Sequence, residues 1–146
     1  MQVEIKIDDS CMEPKIIIVT NKVTDEVNRM LQMLSSAPPD VITGFYNDLG
    51  EILSPSEILR IYTSGGKTFA SASQKEYLLR QRLYELEEQL GKHSFVRISN
   101  SEIINLKKVR HFDLSLSGTI CVTLLDGTVT YVSRRYVSKI KQVLGI

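Results

Sequence analysis

Cysteine and tryptophan are scarce in this sequence, and long apolar runs are absent. There is no tryptophan, and the two cysteines, Cys11 and Cys121, lie far apart with no Cys-x-x-Cys motif and no neighbouring histidine. This usage suggests neither a disulfide framework nor a zinc site. No apolar run approaches the ~20 residues of a membrane-spanning helix, and the amino terminus lacks the basic and then apolar layout of a signal peptide. We therefore expect a cytoplasmic protein.

The motifs of common catalytic sites are also missing. Gly66-Lys67-Thr68 resembles the end of a phosphate-binding P-loop, but the earlier glycine of that motif is not there. His93 and His111 have no partner at metal-ligand spacing, and there is no Gly-x-Ser-x-Gly elbow. We predict that the protein is not an enzyme and has no cofactor, no metal and no small-molecule substrate.

Charge is plentiful, and it is distributed unevenly. The 146 residues include 18 basic and 17 acidic ones, a net charge of +1. Residues 1–49 carry four basic and eight acidic residues, a net of −4, whereas residues 92–146 carry nine and three, a net of +6. A local basic excess of this size is typical of a surface that binds a polyanion. A solvated basic surface without a partner fits the charge alone equally well.

The first forty or so residues have the pattern of a small unit of strands and one helix. Alternating apolar and polar residues predict a strand over 3–7, and an apolar run predicts a second over 16–19. Apolar residues then recur at helical spacing at Val23, Val27, Met30, Leu31 and Leu34. We expect Thr20 or Asn21 to cap this helix and a connector at Pro38-Pro39 to follow it.

From residue 41 onward the pattern changes to short apolar segments separated by turn-forming residues. These segments span 41–46, 51–53, 58–62 and 68–72. Ser64-Gly65-Gly66 and Asp126-Gly127 predict hairpin turns between neighbouring segments. Several strands at this spacing indicate a mainly β domain.

Two helices interrupt this pattern. Leucines recur at helical spacing at Leu79, Leu83, Leu86 and Leu90. Where this helix begins is open, because Ser73-x-x-Glu76 resembles a capping box while Tyr77-Leu78-Leu79 fits a strand equally well. A second short helix should begin near Ser133, since apolar residues again have helical spacing at Tyr136, Val137, Ile140, Val143 and Leu144.

Two separated motifs resemble the signature of the LytTR family of bacterial DNA-binding domains. The first is Phe95-Val96-Arg97-Ile98-Ser99-Asn100-Ser101-Glu102-Ile103-Ile104-Asn105-Leu106, and the second, after a hairpin, is Val132-Ser133-Arg134-Arg135-Tyr136. The family pattern is Phe-x-Arg-x-His-x-Ser, an aliphatic pair, Asn and later Ser-Arg-Arg. Ser99 stands where many members have histidine, which leaves the target preference open. The resemblance covers about residues 50–146 and implies that Tyr77 to Arg80 is a strand and that the helix starts near Arg82.

The resemblance implies an α+β fold and a set of DNA contacts. The expected fold is a mainly β LytTR-type sandwich over 49–146 with one or two short helices, preceded by an acidic βα unit over 1–48. Loops of this sandwich, in place of a recognition helix, would enter successive major grooves. Base contacts are expected from Asn100, Arg135 and Lys67, because Asn pairs with adenine and Arg with guanine. Phosphate contacts are expected from Arg97, Ser99, Ser101, Lys107, Lys108, Arg134 and Lys139.

Each of these residues also has an ordinary structural interpretation. Arg97 fits half of an ion pair, Ser101 fits a turn cap, and Lys107-Lys108 fits a solvated pair.

We expect a sequence-specific transcriptional regulator that binds double-stranded DNA, as a homodimer on repeated half-sites. The residues before 50 are too few for the receiver domain that often precedes this family's DNA-binding domain. The acidic unit would instead serve dimerisation or docking of a regulatory membrane protein. The alternative is a protein-interaction or RNA-binding module that uses the basic carboxyl-terminal face.

Overall fold

The structure, a computed structural model, describes residues 1–35 and 42–146. It has two compact units, Met1–Ala37 and Pro38–Ile146. The connector predicted at Pro38-Pro39 lies outside the described residues. No helix in the described part of the chain is long and apolar enough to cross a membrane.

In its described residues, 1–35, the first unit contains one helix, α1 (Asp25–Ser35). Its predicted position is confirmed, but the cap is Thr24, whose Oγ1 accepts a hydrogen bond from the Val27 amide at 3.3 Å, and not Thr20 or Asn21. The apolar side of α1 and the preceding segment line a shallow groove, which we call the α1 groove. Its residues are Pro14, Ile16, Ile18, Val23, Val27, Leu31 and Leu34.

The prediction of two strands in the first unit, over 3–7 and 16–19, is wrong. Residues 1–24, all of which are described, contain no strand. The apolar alternation over 3–7 is present, but a strand also needs a neighbour to satisfy its backbone groups. The first unit is therefore a helix with a long irregular segment before it, and not the predicted βα unit.

The second unit is built mainly from antiparallel strands, which confirms the α+β, mainly β fold. The strands are β1 (Ile42–Tyr46), β2 (Leu49–Leu53), β3 (Ile58–Ser64), β4 (Lys67–Ala72), β5 (Lys75–Leu79), β6 (Phe95–Ser99), β7 (Glu102–Asn105), β8 (Val109–Asp113), β9 (Ile120–Leu124) and β10 (Val129–Val132). The helices are α2 (Leu83–Leu90) and α3 (Arg134–Leu144). One sheet has the order β2-β1-β5-β4-β3-β7-β6, and a second has the order β10-β9-β8.

β1 belongs to the larger sheet, so the second unit begins before the predicted boundary at residue 48. Phe45 of β1 pairs with Leu78 of β5. Gly44 makes this close approach feasible, because a Cβ atom at that position would lie only 2.7 Å from the Cβ of Tyr77. β1 is therefore part of the sheet domain and not of the first unit.

The open question about β5 and α2 is resolved in favour of the strand. Ser73 and Gln74 have φ angles of 50° and 62° and form the tight turn between β4 and β5. Ser73 therefore does not cap a helix. Arg82 is the extended residue at which α2 begins, with φ −82° and ψ 157°, as the family resemblance implies.

Two apolar clusters lie on opposite faces of the larger sheet. The first packs strand residues such as Ile58, Ile61 and Ile103 against the leucines of α2. The second packs Ile98 and Ile104 of β6 and β7 against the smaller sheet and α3. The layers are therefore α2, the larger sheet, and then the smaller sheet together with α3.

A buried carboxylate joins the two sheets. Glu102 of β7 accepts a hydrogen bond from Thr130 Oγ1 of β10 at 2.8 Å, and it lies 3.4 Å from Nη1 of Arg60 on β3. Because Glu102 directly follows the β6–β7 turn, this contact fixes the start of β7 relative to both sheets.

Candidate nucleic-acid interface

Two hairpin turns lie side by side at one end of the larger sheet. The β3–β4 turn is closed by the pair Ser64 and Lys67, and Tyr62 of β3 pairs with Glu102 of β7. The amide of Thr63 donates to the carbonyl oxygen of Ser101 at 2.9 Å. The turn with Lys67 and the turn with Asn100 therefore share one edge.

The start of α3 joins the same edge. The amide of Ser133 donates to the carbonyl oxygen of Ile98 on β6 at 2.9 Å. The hydroxyl of Tyr136, in the first turn of α3, donates to Oδ1 of Asn100 at 3.2 Å. We call the surface formed by Ser64–Lys67, Ser99–Ser101 and Ser133–Tyr136 the turn face.

Asn100 lies at the tip of its turn and is exposed. The hydrogen bond from Tyr136 uses one of the two lone pairs of Oδ1. Among the described residues, no other hydrogen bond uses the second lone pair or the hydrogens of the amide nitrogen. An exposed, oriented amide of this kind can accept from one base atom and donate to another, which is how asparagine recognises adenine.

Arg97 links the Asn100 turn to α2 through hydrogen bonds. Its Nη1 donates to Glu87 Oε2 of α2 at 2.6 Å, its Nε donates to the carbonyl oxygen of Ser99 at 2.7 Å, and its Nη2 donates to that of Asn100 at 2.7 Å. Only 14% of the side chain is exposed. This is the ion pair that the sequence analysis gave as the alternative to a phosphate contact.

The two serines of the turn hold its backbone. Ser99 Oγ accepts from the amide of Ser101 at 3.2 Å and lies 3.3 Å from Ser101 Oγ. Ser99 is half-buried and Ser101 is exposed. The hydroxyl of Ser101 can therefore reach solvent while that of Ser99 shapes the turn.

The two arginines at the start of α3 differ in their surroundings. Arg134 lies against the turn at Gly118, where a Cβ atom would stand 3.2 Å from Arg134 Nε. Arg135 is exposed, and no ion pair of the described residues includes it. Lys139 lies further along α3 and is also exposed. Arg134 is exposed as well, so both arginines can reach outward, Arg134 from beside the Gly118 turn.

Two basic residues at this end escape a search based on sequence motifs. Thr68 pairs with Leu79, so Arg80 follows β5 next to the position of Lys67. Arg80 stacks on the ring of Phe45 at 4.3 Å, and Arg82 is exposed. The sequence Arg80-Gln81-Arg82 could have identified both residues. Once Lys75–Leu79 is assigned as β5, paired with β4, this sequence falls at the same end of the sheet as Lys67.

Lys107 and Lys108 lie at the other end of the larger sheet. β7 runs from Glu102, next to the turn face, to Asn105, which pairs with Phe95. The two lysines follow Asn105, close to Ile58 at the start of β3. The structure therefore separates them from Asn100, Arg135 and Lys67, which it brings together.

One carboxylate stands at the end of the smaller sheet where α3 begins. Asp113 ends β8. Two hydrogen bonds from Ser115 lower the pKa of the Asp113 carboxyl below its usual value, the one from the hydroxyl more than the one from the amide. Among the described residues no group of acidic, histidine or cysteine side chains could hold a metal ion.

Comparisons with known proteins show the family and the fold. A family model described as LytTr DNA-binding domain matches residues 51–145. Transcriptional regulators of Staphylococcus aureus strains NCTC 8325 and COL, named as uncharacterized and HTH-type, are each 31% identical over 100% of this chain and 99% of their own length. A solved structure, the LytTr DNA-binding domain of a Bacillus cereus protein described as a methyl-accepting/DNA response regulator, is 24% identical with a TM-score of 0.71, covering 75% of this chain and 100% of that one.

Proposed function

This chain belongs to the LytTr DNA-binding domain family and is a DNA-binding transcriptional regulator, and from that premise we propose that it reads specific sequences of double-stranded DNA with its turn face. The observation that carries the proposal is the convergence of three positions that are far apart in the sequence. Lys67, Asn100 and Arg135 lie on three separate elements that meet at one edge. Turns of this size can enter the major groove, where each base pair presents a distinct pattern of donors and acceptors.

The reading residues have complementary roles in this proposal. Asn100 contacts adenine through its amide, and Arg135 contacts guanine O6 and N7 through its guanidinium. Lys67, exposed at the start of β4, contributes a point charge toward guanine or phosphate. Arg97 acts on the DNA through the turn that it supports, since each of its three guanidinium nitrogens already donates to Glu87 or to a carbonyl oxygen of the turn.

The phosphate contacts surround these readers. Arg134, Lys139 and Ser101 stand on or next to the turn face, where positive charge and hydroxyl groups position the domain on the DNA backbone. Ser99 supports Ser101 through their hydrogen bond. We do not extend the phosphate contacts to Lys107 and Lys108, because these lie at the far end of the sheet.

The mode of reading differs from that of a helix–turn–helix protein, although the Staphylococcus aureus relatives are named as HTH-type. In such proteins a recognition helix follows the first helix after a short turn. In residues 42–146 of this chain, five strands separate α2 from α3. This separation supports reading by turns.

The proposal includes a homodimer on repeated half-sites. A single turn face offers few base contacts, and two copies on adjacent half-sites would multiply affinity through linkage. The acidic first unit would supply the contact between copies or a docking surface for a regulatory membrane protein.

The test is selection of bound sequences from randomised duplex DNA, followed by binding measurements over a salt series. Asn100→Ala and Arg135→Ala should each lose about 1 to 3 kcal/mol on the selected site and relax one base position. Asn21→Ala and Arg110→Ala are matched controls, because both residues are exposed and neither belongs to the turn face. The absence of any selected motif, with equal and small losses in all four variants, would refute sequence-specific reading.

A further inference from the structure

The segment Gln2–Asp8 has the pattern of a strand but forms none within this chain. Val3, Ile5 and Ile7 are 85%, 90% and 88% exposed, and Glu4 and Lys6 alternate with them. In a strand conformation these three branched apolar side chains would share one side of the segment, where they are costly to leave in water. The segment therefore has the properties of a strand that pairs with something outside its own chain.

The order of residues in this segment is complementary to itself. If two copies run antiparallel with Ile5 opposite Ile5, then Val3 of each copy faces Ile7 of the other. On the opposite side of the ribbon, Glu4 of each copy faces Lys6 of the other. Both cross-strand charge pairs are then attractive, and such pairs and β-branched neighbours stabilise antiparallel ladders. This register needs no residue from any other protein.

A two-stranded ribbon alone is marginal in water, so its apolar side needs a cover. The first unit provides one in the α1 groove, whose residues Ile16, Val23 and Leu34 are 71%, 67% and 55% exposed. A unit of this length usually needs oligomerisation to be stable. The α1 groove and the strand-like segment Gln2–Asp8 thus lie in the same small unit.

We propose that Gln2–Asp8 pairs antiparallel with the same segment of a second copy, with Ile5 opposite Ile5, and that the paired strands cover the α1 grooves of the dimer. This interface deepens the homodimer part of the proposed function and rests on it. It assigns the contact between copies to the first unit, which leaves both turn faces to the DNA.

Charge reversal tests the register. Glu4→Lys and Lys6→Glu each turn two attractive pairs per dimer into repulsive ones, and each should raise the dimer dissociation constant about tenfold in sedimentation equilibrium of the full chain. The double variant E4K/K6E restores opposite charges and should return to the wild-type value. The pair Glu13→Lys and Lys15→Glu is the matched control, since both residues are exposed in the same unit, and neither change should matter.

A disulfide scan tests the same register independently. In a C11S/C121S background, Ile5→Cys should give a covalent dimer on oxidation with copper phenanthroline, because the two positions face each other. Lys6→Cys should not, because its counterpart is displaced by two residues, beyond the reach of a disulfide. A monomer at all concentrations, a failure of the double variant to restore dimerisation, or equal cross-linking at both positions would overturn the proposal.

Binding to a single half-site separates this inference from the proposed function. The charge-reversal variants should bind one half-site as tightly as the wild type and lose only the gain from a second half-site. A wild type that selects a motif but stays monomeric overturns the interface alone. A dimer with the predicted register that selects no motif overturns sequence-specific reading alone.

Discussion

Asn100 and Asn105 stand at opposite ends of one strand and serve opposite purposes. Asn100 is exposed on the turn face, and a hydrogen bond from Tyr136 orients its amide. Asn105 is 2% exposed, and its amide donates to the carbonyl oxygen of Ile58 at 2.9 Å and accepts from the amide of Lys107 at 3.0 Å. Two asparagines in a single motif thus divide into one that can bind a base and one that holds the sheet.

The two ends of the larger sheet differ in the same way. At the turn face, hydrogen bonds position polar side chains that still have free donors. At the far end, the basic residues Lys107 and Lys108 follow an asparagine whose bonds are all internal. Charge exists at both ends, but an oriented and accessible hydrogen-bonding group exists at the turn face. Charge gives affinity for a polyanion, whereas oriented groups give discrimination between bases.

Asn105→Ala should give the largest effect and should separate the two asparagines most clearly. The change leaves the carbonyl oxygen of Ile58 without its partner in a buried place, so the free energy of unfolding should fall by about 3 kcal/mol. Urea denaturation measures this loss. Asn100→Ala is the matched control and should change unfolding by less than ~0.5 kcal/mol, because that side chain is exposed. Equal effects of the two changes on unfolding would contradict the division of roles.

Arg97→Ala should affect both stability and DNA binding, because Arg97 connects α2 to the Asn100 turn. We expect a loss of about 2 kcal/mol in DNA binding on the selected site, since two carbonyl bonds to the turn disappear. Glu87→Gln removes the charge of the partner while keeping its shape, and should weaken binding less. If Arg97 contacts phosphate directly, Glu87→Gln would instead leave DNA binding unchanged or strengthen it, and Arg97→Ala would weaken all sequences equally.

Tyr136→Phe removes only the hydroxyl that orients the Asn100 amide. Binding to the selected site should weaken by about 1 kcal/mol, and discrimination should fall at the base that Asn100 reads. Fluorescence titration of the selected site and of a variant at that base measures both. Tyr131→Phe is a suitable control, because Tyr131 is exposed on β10 and forms no part of the turn face. A Tyr136→Phe protein with full discrimination would show that the hydrogen bond is dispensable.

Lys107→Ala should have the smallest effect. Its loss should weaken binding to all sequences equally by less than ~0.5 kcal/mol and change the slope of log affinity against log salt by well under ~1, the value for one phosphate contact. The same change at Lys139 should come closer to one full contact. A larger salt effect for Lys107 than for Lys139 would place the far end against DNA.

The sequence predicted most of the sheet domain because its signals are local. The turns at Ser64-Gly65-Gly66 and Asp126-Gly127 and the strand alternation specify hairpins whose partners are neighbours in the chain. The start of α2 was ambiguous by local propensity, and the family resemblance resolved it. The strands expected over 3–7 and 16–19 failed for the opposite reason, because alternation records a preference and pairing depends on a distant or separate partner.

The candidate site was only partly predictable for a related reason. The motif identified Asn100 and Arg97, but no sequence signal distinguishes a guanidinium that faces DNA from one that is turned inward toward Glu87. Arg80 was missed because its position next to Lys67 follows from the pairing of β4 with β5. Lys107 and Lys108 entered the expected set of phosphate contacts with the family resemblance, and the direction of β7 places them at the other end of the sheet from the turn face.

The hydrogen bond between Tyr136 and Asn100 links two of the three proposed reading positions, the Asn100 turn and the start of α3 with Arg135, while the third, at Lys67, has no such link among the described residues. Gly65 and Gly66 have φ angles of 58° and 76° and no atom within 4 Å of an added Cβ, so the tip of the Lys67 turn has open space around it. A regulator built in this way can acquire a new operator preference in steps. Changes in the β3–β4 turn can alter one part of the target without disturbing the rest, whereas a new preference at Asn100 requires a compatible start of α3.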